Sequence, residues 1–159
     1  MELAPSAPEG CPSSAIWLAN EFSCCRYRYL VITHEATLFS AVLYGKGVND
    51  IGGFVEGASR AIGLTAKELG VEAIYSRFFA DELSSVSFAK IDSKPALGSM
   101  NDIARCAKFM LAPGERSPLD VSCSLNEMPM SMLGMGYPFD AFKKLAGFTL
   151  IDRARHKAH

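Results

Sequence analysis

Apolar side chains in the first third of the chain either alternate with polar ones or run together in short blocks. After residue 50 they recur every third or fourth position. This change of period divides the sequence into a β-forming front and a helix-forming remainder. Residues 15–24 read as a first strand, with Ile16, Leu18 and Phe22 facing inward. Tyr27–Thr33 and Thr37–Tyr44 are rich in β-branched and aromatic residues, and His34-Glu35-Ala36 is short enough to join them as a hairpin. The second run carries apolar residues on both faces (Leu38, Phe39, Ala41, Val42, Leu43), the pattern of a central strand covered on two sides.

Gly45-Lys46-Gly47 interrupts the strands. Asn49 then predicts a cap for a helix bearing Ile51, Phe54, Val55, Ala58 and Ile62 on one face. Thr65-x-x-Glu68 has the form of a capping box that opens a short second helix, stopped by Gly70. Residues 72–83 predict a further helix, and Val86–Ile91 alternates as a strand with one buried face. Ser99, with Asp102 three residues on, predicts the start of a helix whose stripe is Ile103, Cys106, Ala107, Met110 and Leu111. Residues 118–126 predict another helix, broken near Pro129, and Phe139–Leu145 a last short one behind Pro138. Strands first and helices later imply an α+β fold: a small, mainly antiparallel sheet, from the N-terminal strands plus one later strand, packed with several helices. Residues 1–14 read as a flexible lead-in, 15–150 as one domain and 151–159 as a polar, basic tail.

Composition narrows the function classes. A chain of 159 residues with 49% hydrophobic and 21% charged residues can bury a core of its own. The net charge of -1 leaves no overall electrostatic footprint for nucleic acid. No apolar run reaches the roughly 18 residues that a membrane span needs. Five cysteines without regular spacing fit reduced thiols better than a disulfide framework, which points to the cytoplasm.

The chemistry-bearing residues are sparse. Of three histidines, His156 and His159 lie in the tail, so any nucleophilic or metal chemistry in the body would have to use His34. A histidine beside a hairpin loop reads first as a solvated turn residue. The sequence therefore predicts neither a metal nor a cofactor, and the phosphate-binding glycine spacings are missing. His34, Asp102 and Glu127 are the catalytic candidates, although Asp102 is also explained as a first-turn acid facing the helix dipole. Arg26 and Arg28, interleaved with Tyr27 and Tyr29, could hold phosphates and stack bases. Alternation on a half-exposed strand gives the same pattern, with the tyrosines turned to the core. Met128, Met130, Met132 and Met135 read as adaptable packing before they read as a partner surface. Trp17 is a core anchor or an interface aromatic.

Three segments carry a resemblance. Trp17-Leu18-Ala19-Asn20 precedes the hairpin, Leu97-Gly98-Ser99-Met100-Asn101-Asp102 lies at the late helix, and Leu125-Asn126-x-x-Pro129-Met130 falls near the end. In this order they resemble a family of small bacterial proteins built on a domain of unknown function, with the likeness spanning roughly residues 15–146. The resemblance implies one compact domain of bacterial or phage origin and supplies no activity. Within these boxes Trp17, Asn20, Asn101 and Asn126 are, with Arg26 and Arg28, the binding candidates. The leading expectation is a non-enzymatic module that binds a protein partner. The alternative is a small hydrolase or nucleic-acid-processing domain in which Asn20, His34, Asn101, Asp102, Asn126 and Glu127 converge in one cleft.

Overall fold

A computed structural model describes residues 16–72, 75, 89, 91 and 93–144. Strands β1 (Trp17–Cys24), β2 (Tyr27–His34) and β3 (Ser40–Tyr44) form an antiparallel sheet in the order β1-β2-β3. The register sets Leu18 opposite Thr33 and Thr33 opposite Ser40, so side chains at these positions share one face. Helices α1 (Ile51–Glu68), α2 (Lys94–Leu111) and α3 (Pro118–Asn126) follow, then α4 over residues 138–144. The fold is α+β, as the order of periods predicts.

Both faces of the sheet are covered, which gives two cores. On one face Leu18, Tyr29, Val31 and Val42 meet Met100, Ile103, Ala107 and Leu111 of α2, with Val121 and Leu125 of α3. On the other, Ile32, Phe39 and Ala41 meet Ala58, Ile62 and Ala66 of α1 and Phe142 of α4. The stripe predicted after Gly98 is thus the buried face of α2. α1 approaches β3 closely at Gly57, where an added Cβ would sit 3.1 Å from Leu43 Cδ1.

The element ends differ from the local reading. α1 is capped by Asp50, whose Oδ1 accepts the Gly53 N–H at 2.7 Å, and not by Asn49. It also runs straight through Thr65. That hydroxyl donates to the Ala61 carbonyl at 2.7 Å, one turn back, so it starts no second helix. α2 begins at Lys94, capped by Ser93 with Pro95 in the first turn. Ser99 and Asp102 therefore lie inside it. Burial of Ala96 and Met100 outweighs the local start signal in Gly98-Ser99. The central strand is β2, and β3 is an outer strand covered by helices. His34 ends β2 and pairs with Phe39 (N–H to carbonyl, 2.8 Å), so the hairpin loop is Glu35–Leu38 rather than His34–Ala36. Most of the predicted helix 72–83 and strand 86–91 lies outside the described residues.

A capping test follows. Ser93→Ala is expected to lower stability by about 1 kcal/mol, the usual worth of an N-cap. Ser99→Ala is expected to stay within about 0.5 kcal/mol, as a position away from the helix end does. Urea denaturation of both variants reads the difference.

Candidate functional site

The site is built where α3 runs along the outer edge of β3. Ser122 and Asn126 are one turn apart on α3 and share a face. The Ser40 N–H donates to Asn126 Oδ1 at 2.8 Å, and Asn126 Nδ2 donates back to the Ser40 carbonyl at 2.8 Å. The second Nδ2 hydrogen goes to the Ser122 carbonyl, also at 2.8 Å. One bond further along, the Val42 N–H donates to Ser122 Oγ at 2.7 Å, and that hydroxyl donates to the Pro118 carbonyl at 2.7 Å. Two helix side chains thus meet backbone groups that a fourth strand would otherwise pair. The amide orientation is dictated by its neighbours, an N–H on one side and two carbonyls on the other.

The polar seam continues inward. Ser40 Oγ donates to the Leu38 carbonyl at 2.8 Å, so the Thr33 hydroxyl, 2.7 Å away, is the donor to Ser40 Oγ. His34 Nδ1 lies 2.7 Å from Thr37 Oγ1. The imidazole is 0% exposed, with Trp17 at 4.8 Å and Phe142 at 6.4 Å between ring centroids. The histidine read as a solvated turn residue is instead a core residue, held by a threonine and walled by aromatics.

Outside the seam, Asn126, Glu127, Tyr137, Phe139 and Asp140 line an open groove of about 330 Å³. Glu127 ends α3, and the other walls come from the start of α4. Between them the chain makes a tight excursion: the Met130 N–H bonds the Gly136 carbonyl and the Met135 N–H the Met130 carbonyl, each at 2.9 Å. A 3₁₀ turn over Ser131–Leu133 and left-handed Gly134 and Met135 complete it. The four methionines divide here. Met128 and Met130 pack onto the core, whereas Met132 and Met135 are 52% and 61% exposed beside Tyr137 at 44%. The Ser99 hydroxyl of α2 touches the Met132 sulfur.

Of the candidate residues, the groove gathers Asn126 and Glu127. Asp102 stands on the exposed side of α2, 3.7 Å from Arg105, too far along the helix to be the first-turn acid expected. Asn101 is exposed on the same helix and Asn20 half-buried on β1. Arg26 is exposed in the turn after β1. Arg28 reaches across β3's end, donating to the Gly45 carbonyl and to the Val48 carbonyl (3.0 Å), with Glu21 at 3.8 Å. Tyr29 is buried and stacked on Phe22 at 5.5 Å, while Tyr27 is exposed, so the interleaved strand offers no continuous stacking platform. Trp17 is half-buried against His34. Among the described residues no three His, Cys, Asp or Glu side chains come together as metal ligands, and no helix is long and apolar enough to cross a membrane. The sequence marks Phe139 as the start of the last helix but gives Tyr137, Phe139 and Asp140 no binding role; the clustering of methionines is the one cue it offers.

A family model described as a domain of unknown function (DUF6933) matches residues 2–141, and the chain belongs to that family. The match begins well ahead of the tryptophan box that carries the resemblance. No curated protein and no solved structure matches the chain.

Proposed function

We propose that this member of the DUF6933 family is a non-enzymatic protein-binding module of the cytoplasm, and that its docking surface is the α3–α4 groove with the methionine excursion beside it. The observation that carries the reading is the exposure of Met132 and Met135 on the excursion that leads to Tyr137, an exposed aromatic that lines the groove. Adaptable thioethers and an amphipathic aromatic are the side chains that partner surfaces favour. Glu127 and Asp140 set the charge preference, toward a segment that pairs apolar residues with lysine or arginine. The full burial of His34 against Trp17 and Phe142, while Glu127 is exposed, counts against the hydrolase alternative. The free thiols of Cys24, Cys25, Cys106 and Cys123 suit a reducing compartment.

Selection from a random peptide display library is expected to enrich segments that combine apolar and basic residues. Met135→Ser should weaken the selected peptides about tenfold, as loss of an apolar contact at a docking surface does, at unchanged stability. Glu127→Gln with Asp140→Asn should remove the preference for basic residues and flatten the salt dependence. Failure to enrich any sequence, or binding indifferent to all three positions, would overturn the proposal.

A further inference from the structure

At the opposite end of the sheet the β1–β2 turn is made by Cys25 and Arg26, both left-handed at φ 54° and 73°. A two-residue hairpin loop calls for this geometry, and Asn-Gly is the usual way to supply it. Here it sets two thiols side by side. Cys24 Sγ and Cys25 Sγ are 3.6 Å apart. Cys24 is buried and its thiol lies 3.6 Å from the Lys108 carbonyl, while Cys25 is exposed and its thiol lies 3.4 Å from the Ala112 carbonyl, so both rest on the C-terminal end of α2. Cys106 and Cys123 are half-buried free thiols elsewhere.

We propose that Cys24 and Cys25 form a vicinal dithiol that hydroperoxides close, reversibly, to a disulfide. Exposure makes Cys25 the attacking thiol. Its sulfur displaces hydroxide from the peroxide O–O bond, which breaks as an S–O bond forms, and the thiol proton leaves with that hydroxide as water. Cys24 then attacks the sulfenic sulfur. The S–S bond forms, the S–O bond breaks, and hydroxide departs with the Cys24 proton as a second water. Two thiols and one hydrogen peroxide thus give one disulfide and two waters, and an organic hydroperoxide would give one water and one alcohol. Burial and the neighbouring Cys25 push the Cys24 thiol above its ordinary range, which suits a resolving thiol that stays protonated until a sulfenic acid is beside it. Adjacent Cα atoms are about 3.8 Å apart, shorter than ordinary disulfides span, so the closed ring is strained and easily reduced. Closure also withdraws both thiols from the α2 carbonyls, which couples the oxidation state of the turn to the end of that helix.

The full chain with its other cysteines changed to serine, treated with hydrogen peroxide, is expected to lose 2 Da, with the link inside a single peptide containing residues 24 and 25. Glutathione should restore the mass. Phenylarsine oxide, which requires two thiols at once, should bind one to one and block the oxidation, and Cys25→Ser should abolish both reactions while the circular dichroism spectrum is unchanged. Sulfinic acid on Cys25 with Cys24 still open to alkylation, dimers linked between chains, or a Cys25 inert to peroxide would each overturn the proposal.

Discussion

Asn126→Ala is expected to cost about 3 kcal/mol, the sum of leaving a buried N–H and two buried carbonyls short of partners. For a chain of this length that corresponds to a melting temperature lower by about 6–12 °C. The same pocket gives a sharper comparison. Asn126→Asp keeps the shape and the oxygen that accepts from Ser40 but turns a second oxygen toward the carbonyls of Ser40 and Ser122. It should therefore be at least as damaging as alanine. Ser122→Ala removes one bond to Val42 and should cost about 1 kcal/mol. Because Ser122 and Asn126 share a network, their double variant should fall short of the sum. Thermal and urea unfolding read all four. An asparagine acting only as a surface binding residue would leave stability unchanged and affect peptide affinity alone.

Phe142→Ala is expected to cost about 3–5 kcal/mol, the usual range for emptying a buried phenylalanine site. Phe142 is 0% exposed, stacked on Phe39 at 4.2 Å and edge-on to His34 at 6.4 Å. It anchors α4 in the core, and α4 supplies Phe139 and Asp140 to the groove. Loss of the anchor should thus reduce stability and peptide binding together. Phe142→Leu should cost less than half as much, since it keeps most of the volume. Met135→Ser, exposed and outside the core, should reduce binding with stability intact. If Phe142→Ala unfolds the chain outright, Phe142→Leu still separates the two effects. Binding unaffected by a destabilised α4 would place the docking surface elsewhere.

Much of this architecture is readable locally. The three strands, the hairpin that joins the second to the third and the stripe Ile103, Cys106, Ala107, Met110 and Leu111 follow from period and loop length, because a strand or helix must turn its apolar side chains to one surface. Element ends were less legible. Asn49, Thr65 and Ser99 each have a neighbour pattern that starts a helix, yet Asp50 and Ser93 hold the caps. At Thr65 and Ser99 a cap would be worth about 1 kcal/mol, and burying one or two more apolar residues in a continuous helix outweighs it.

The candidate site was legible in part. The sequence singles out Asn126 and Glu127, which border the groove, but Asn126 is buried with its amide bonded to Ser40 and Ser122. The methionines were read chiefly as packing, and their division into two buried and two exposed depends on how the excursion between α3 and α4 folds back. The sequence reads His34 as solvated because the strand's alternation stops at Thr33 and the hairpin loop starts with the histidine. In the structure β2 extends through it, and Trp17 and Phe142 close over the ring.

What the chain determines by itself is the kind and order of its elements and the faces they must bury, since these follow from side-chain period within a dozen residues. Tertiary structure alone decides what Asn126 does. Its partner Ser40 is 86 residues away, and nothing in the flanking sequence tells an amide that completes a strand edge from one that faces solvent. That choice is made when α3 packs along β3, because an outer strand's backbone groups need partners and the nearest polar side chains on the helix supply them.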